Sequence, residues 1–92
     1  MTNKKEIIKT VGVKVREART DKGLSIEKLA EQSGLAYSQI IRIESGKINT
    51  SIHQLFILAN SLEVDITDFF DGVNKKFLSH TPENIIIEIS SE

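Results

Sequence analysis

Apolar residues recur at Ile8, Val11, Val15 and Ala18, in steps of three and four positions. That spacing lays one stripe along a helix of 3.6 residues per turn and predicts an amphipathic first helix, ended by Lys22-Gly23. Ser25 is a good N-cap for a short second helix that turns Ile26, Leu29 and Ala30 inward, and Ser33-Gly34 stops it after about two turns. A third helix is predicted from about Tyr37 to Ser45, burying Ile40 and Ile43, with Gly46 closing it. Only a short Gly34-containing connection separates the second and third helices, the length that a helix-turn-helix requires. Thr50 or Ser51 caps a predicted fourth helix with Ile52, Leu55, Phe56, Ala59 and Leu62 toward the core. Asp65 caps a fifth, with Asp68 as its acidic partner and Val64 and Phe69 placed as a hydrophobic staple.

The pattern changes after Gly72. Val73 to Pro82 reads as a polar connector, and Asn84 to Ser90 then alternates, placing Ile85, Ile87 and Ile89 on one face of a β-strand. A lone strand is not stable in water, and no other segment reads as one. Two expectations follow: the strand pairs with its counterpart in a second subunit, or the segment is a flexible tail. The predicted organisation is an all-α, five-helix domain over residues 1–72, followed by a connector and candidate dimerisation strand over 73–92.

Composition narrows the picture. The 92 residues, 39% hydrophobic, suffice for one small core, and no separate catalytic domain is expected. No cysteine is present, which excludes disulfides and thiolate metal sites. The start, MTNKKEIIKTVG, lacks the apolar stretch of a signal peptide, and no apolar run approaches the roughly 20 residues that span a bilayer. A cytoplasmic protein without membrane contact is expected.

Net charge is −1, but it is unevenly spread. Residues 1–47 hold ten Lys/Arg against six Asp/Glu, whereas residues 48–92 hold two against seven. The basic half carries a one-sided electrostatic footprint. Enzymatic chemistry finds no support: His53 and His80 lie far apart without a carboxylate cluster at metal-ligand spacing, and no nucleophile-elbow or phosphate-loop motif frames the Ser, His and Asp residues. Neither a metal nor a cofactor is expected.

Two stretches, VGVKVREARTDKGLSIEKLAEQSGL and IIRIESGKINTSIHQLFILANSLEVDITDFF, carry a family resemblance. Over residues 11–71 the chain resembles the phage-repressor and Cro type of helix-turn-helix, the xenobiotic-response-element family. The resemblance implies a lambda-repressor-like fold and sequence-specific binding to double-stranded DNA, usually as a homodimer, in transcriptional regulation. In such a pair the second helix enters the major groove and its first side chains meet base edges. Here those residues are Tyr37, Ser38 and Gln39, with Arg42 one turn on. Gln39 can pair bidentately with adenine, and Arg42 can reach guanine or a phosphate. Tyr37 offers its ring to a thymine methyl or its hydroxyl to a phosphate. Each of these is also an ordinary polar residue of a solvated helix face.

Phosphate contacts position a protein on the duplex without reading it. The candidates are Ser25, where free N–H groups favour an anion, then Lys28, Lys47 and Asn49. Capping and solvation account for the same residues. Arg16 is surface charge or a further phosphate contact. The resemblance also implies that Arg19 and Glu44 form a partly buried ion pair between the first helix and the end of the third.

Two departures from the family pattern remove hydrogen-bonding capacity. Ile26 stands where many relatives have a glutamine that helps hold phosphate and the recognition helix, and Ala36 stands where a serine or threonine caps the third helix. Together with the acidic second half they favour an alternative expectation, a protein-interaction module that keeps the fold but has lost DNA binding. Among regulators, a restriction-modification controller, a phage-type repressor and an antitoxin-like autoregulator all fit, and no small-molecule effector is expected.

Overall fold

Helix α1 (Lys4–Asp21) begins where the Asn3 side chain accepts the N–H of Glu6 at 2.9 Å. The structure is a computed structural model and describes residues 3–71 and residue 73. Val11 and Val15 form the buried centre of the α1 stripe, flanked by half-buried Ile7 and Ala18. Beyond Asp21 the chain turns through Lys22 and Gly23, and the N–H of Leu24 returns to the carbonyl of Arg19 at 3.1 Å.

Helix α2 (Ile26–Ser33) starts at Ser25, whose hydroxyl accepts the Lys28 N–H at 3.0 Å. Two turns cannot hold themselves in water, so α2 depends on packing. Leu29 is its one fully enclosed residue, and burying that side chain contributes about 1.5–3 kcal/mol. Helix α3 (Tyr37–Glu44) contributes Ile40 and Ile43 to the same core. Helix α4 (Ile52–Leu62) begins at Ser51, the actual cap, whose hydroxyl accepts the Gln54 N–H at 3.1 Å. The core joins Val11, Val15, Leu29, Ile40, Ile43, Leu55, Leu58, Ala59, Leu62 and Phe69. Around it, α1 packs on α3, and α2 lies against α3 and α4.

Two sequence expectations need correction. Ile52 and Phe56 do not face the core: they are 76% and 57% exposed, and Leu58 is buried in their place. The inward stripe of α4 is Leu55, Leu58, Ala59 and Leu62, at the three- and four-residue spacing of a single helix face. Ile52 and Phe56 share a neighbouring face, one turn apart. The fifth element, Ile66–Phe70, is a 3-10 helix rather than an α-helix. The Asp65 carboxylate accepts both the N–H of Thr67 at 2.9 Å and its hydroxyl at 2.8 Å. That local turn favours the tighter bond from the Asp68 N–H to the Asp65 carbonyl at 2.9 Å. The 3-10 helix still delivers Phe69, fully enclosed, to the core, and half-buried Val64, just before its Asp65 cap, packs against it.

The described residues contain helices and turns without strands. The predicted strand with Ile85, Ile87 and Ile89, and the helix end at Gly72, lie outside the described residues.

Candidate nucleic-acid interface

Residues 34–36 alone connect α2 to α3. Gly34 closes α2 with φ +78°, a left-handed conformation that glycine adopts without steric cost, and its N–H reaches the Ala30 carbonyl at 2.9 Å. Leu35 donates its N–H to the Ser33 hydroxyl at 3.2 Å, and Ala36 is extended. The chain thus leaves one helix and starts the next within a rigid turn. Ala36 supplies no side-chain hydrogen bond to the start of α3.

The faces of α3 divide sharply. Ile40, Ile43 and Glu44 point inward, while Tyr37, Ser38, Ile41 and Arg42 are exposed, Tyr37 by 49%. The predicted base-reading set is therefore largely brought together on one surface. Gln39 differs. It is half-buried, and its Nε2 donates to Gln54 Oε1 on α4 at 2.8 Å. The Thr50 hydroxyl donates to the same oxygen at 2.5 Å.

The predicted phosphate contacts fall on the flanks. Ser25 is exposed and its hydroxyl is engaged as the α2 cap. Lys28 is exposed, with its ammonium 3.6 Å from Glu31, a surface pairing that contributes little. Lys47 and Asn49 are exposed in the α3–α4 connection. The Lys47 N–H donates to the Arg42 carbonyl at 2.9 Å, fixing this lysine at the end of α3.

Arg19 and Glu44 form a two-pronged pair behind this surface. Nε lies 2.7 Å from Oε2 and Nη2 lies 3.0 Å from Oε1. Nη1 donates to the Leu24 carbonyl at 2.7 Å, so one guanidinium joins α1, the α1–α2 turn and the end of α3. Both side chains are nearly enclosed, at 11% and 6% exposure. The hydrogen bond to Glu44 raises the Arg19 pKa above its ordinary value, against the opposing effect of burial.

Three participants escape the sequence reading. Gln54 and Thr50 carry no signal that pairs them with Gln39, because the link from Gln39 crosses 15 positions of chain. Gly12 does carry one, since glycine inside a helix is costly relative to alanine. A Cβ there would lie 2.3 Å from the Ile43 carbonyl oxygen, so α1 and α3 meet backbone to backbone. Among the described residues no group of His, Cys, Asp or Glu could hold a metal ion, and no helix is long and apolar enough to cross a membrane. His53 is exposed in the first turn of α4.

Known proteins share this arrangement. A helix-turn-helix family model matches residues 15–69. An HTH-type transcriptional regulator of Rickettsia conorii is 32% identical, over 98% of this chain and 78% of its own length. The crystal structure of the restriction-modification controller protein C.AhdI from Aeromonas hydrophila is 38% identical, covering 68% of this chain and 96% of its own, with a TM-score of 0.66. A second controller, C.Esp1396I, was solved as a tetramer in complex with its natural 35 base-pair operator. It is 30% identical with a TM-score of 0.67, covering 78% of this chain and 95% of its own.

Proposed function

The chain belongs to the helix-turn-helix family of transcriptional regulators, and on that premise we propose that it binds double-stranded DNA sequence-specifically as a homodimer, with α3 in the major groove. The observation that carries this reading is the outward face of α3. Tyr37, Ser38 and Arg42 stand exposed while Ile40 and Ile43 lock the opposite face into the core. In this reading Tyr37, Ser38, Gln39 and Arg42 meet base edges, and Ser25, Lys28, Lys47 and Asn49 lie along the phosphates. The operator complex of the C.Esp1396I tetramer supports the use of duplex DNA by this fold. The protein acts in the cytoplasm and is a regulator, not an enzyme.

Exposed Ile52 and Phe56, one turn apart on α4, offer an apolar surface to a second copy. Ile85, Ile87 and Ile89 are the other candidate contact. In a dimer on a two-fold operator, the paired α3 helices lie about 34 Å apart, one turn of DNA. Deleting residues 79–92 and measuring molar mass separates the two contacts: a dimer that survives uses the helical domain.

Selecting bound fragments from a random duplex pool tests the function. A consensus with two half-sites is expected, with affinity falling steeply as salt rises because Lys and Arg contacts release counterions. Lys47→Ala weakens binding about uniformly across sequences, whereas Arg42→Ala relaxes preference at one position. No enrichment at low salt refutes the proposal and favours the interaction module, a reading supported by the uncapped start of α3 at Ala36.

A further inference from the structure

We propose that Gln54 is a positioning residue for base recognition: it sets the direction in which the Gln39 carboxamide faces, and so brings α4 into sequence discrimination. The inference rests on the DNA-binding reading above and concerns a residue outside the helix-turn-helix pair.

The terminal carboxamide of a glutamine rotates about its last bond in a broad, nearly two-fold profile. Left free on a helix surface, Gln39 would present either its nitrogen or its oxygen to a given side. Base reading needs one of these arrangements. Gln39 is not left free, because its Nε2 is held 2.8 Å from Gln54 Oε1. A glutamine has two N–H donors and one acceptor oxygen. With the N–H anti to the oxygen given to Gln54, the other N–H and the oxygen are left as an adjacent donor–acceptor pair. Adenine presents the complement in the major groove, with N7 accepting and N6–H donating.

Gln54 is itself restrained. The Thr50 hydroxyl donates into the same Oε1 at 2.5 Å, holding the acceptor end of Gln54 toward α3. Its backbone N–H is bound by the Ser51 cap at 3.1 Å, so the side chain springs from the ordered first turn of α4. Thr50, Gln39 and Gln54 are all half-buried, and partial exclusion of water strengthens hydrogen bonds of this kind. Much of the rotational freedom of Gln39 is thereby lost on folding and need not be lost again when DNA arrives. Ile26, at the start of α2, has no hydrogen-bonding side chain with which to do the same.

The experiment uses the full chain and duplexes recovered from the random pool. The base position at which Gln39→Ala relaxes preference is located first. At that position, affinities for the four base pairs are compared in the parent protein and in Gln54→Leu, Gln54→Glu and Thr50→Val, alongside melting temperatures. Gln54→Leu is expected to lower the preference for adenine about tenfold at that position alone, within the span of one bidentate contact. Gln54→Glu keeps an acceptor facing Gln39 and restores the preference, although its added charge weakens binding to every duplex. A residue needed only for packing would shift the melting temperature and spare the base preference. Unchanged preference in Gln54→Leu, equal loss at every position, or failure of Gln54→Glu to restore it overturns the proposal. If Gln54→Leu does not fold, Thr50→Val decides, with a smaller loss at the same position expected and no loss refuting. A parent protein that selects no sequence removes the DNA-binding reading itself. Specific binding in which Gln54 variants change nothing removes only this inference.

Discussion

Replacing Gly12 with alanine adds one methyl group to the middle of α1, and the structure gives that methyl nowhere to go. Its Cβ would lie 2.3 Å from the carbonyl oxygen of Ile43, 2.9 Å from that of Glu44 and 3.1 Å from the Glu44 carbonyl carbon. Ordinary carbon–oxygen approach is about 3.3–3.6 Å, so the closest contact overlaps by about 1 Å. The obstacles are backbone atoms in the last turn of α3, which no rotamer change can move aside. Relief requires α1 and α3 to separate, which loosens the core that Val15 of α1 shares with Ile40 and Ile43 of α3 and stretches the Arg19–Glu44 pair.

Two effects compete in this variant. Alanine favours an exposed helix over glycine by about 1 kcal/mol, whereas overpacking a tight interior costs about 1–3 kcal/mol and occasionally more. With backbone as the obstacle, overpacking wins, and a net loss of about 2 kcal/mol is expected. For a domain of this size that lowers the melting temperature by about 10–15 °C. Thermal and urea unfolding followed by far-ultraviolet circular dichroism measure it directly. A Gly12→Ala protein as stable as its parent, or more so, refutes the close approach of the two helices.

Other variants probe the remaining parts. Glu44→Ala strands the enclosed Arg19 guanidinium and should cost about 3 kcal/mol or more in urea unfolding, while an apolar replacement of both partners recovers much of that loss. The Asp65 carboxyl is held below its ordinary pKa, first by the Thr67 N–H and then by the Thr67 hydroxyl. Its contribution to stability is therefore complete above the unfolded value of about 4 and disappears as pH falls through the lower folded value. Asp65→Asn should flatten the acid side of a plot of melting temperature against pH, and an unchanged slope contradicts the assignment. Phe56→Ser should leave monomer stability within about 0.5 kcal/mol, since the ring is mostly in solvent. If α4 forms the dimer contact, the same change shifts the molar mass toward monomer.

Local chemistry was the most legible part of the chain. Ser25 and Asp65 announce helix starts because capping bonds span two or three residues, and Ile40 and Ile43 announce a buried face by spacing alone. Position 50–51 was ambiguous because both residues carry a hydroxyl. Ser51 takes the cap, and Thr50 is turned to Gln54. The orientation of α4 was misread because Ile52, Leu55, Phe56, Ile57, Leu58 and Ala59 put apolar side chains on more than one face. Only packing against α2, α1 and the 3-10 helix selects the face that is buried. The Arg19–Glu44 pair spans 25 positions, and resemblance to a family suggested it where spacing did not. No local pattern announces Gln54, since a tertiary hydrogen bond leaves no periodic trace.

An eight-residue helix is too short to keep its own direction in water, so the aim of α3 is set by what holds its two ends. At the C-terminal end the fixtures are backbone contact at Gly12 and the Arg19–Glu44 pair. Gly46 adds a third: with φ +71°, its absent Cβ would stand 3.0 Å from the Lys9 Cα. All three seat the end of α3 on α1. At the N-terminal end there is no side-chain cap; the short turn from α2 holds the helix, and Gln54 on α4, with Thr50 just before α4, restrains only the Gln39 side chain. The two sets of fixtures therefore predict different phenotypes. Changes at the α1 end move the whole helix, so stability and affinity for every duplex should fall together. Changes at the α4 end leave the helix seated and alter one side chain, so base preference should change while unfolding does not. If the two classes of variant prove indistinguishable in paired unfolding and binding measurements, α3 is not held as two separable ends.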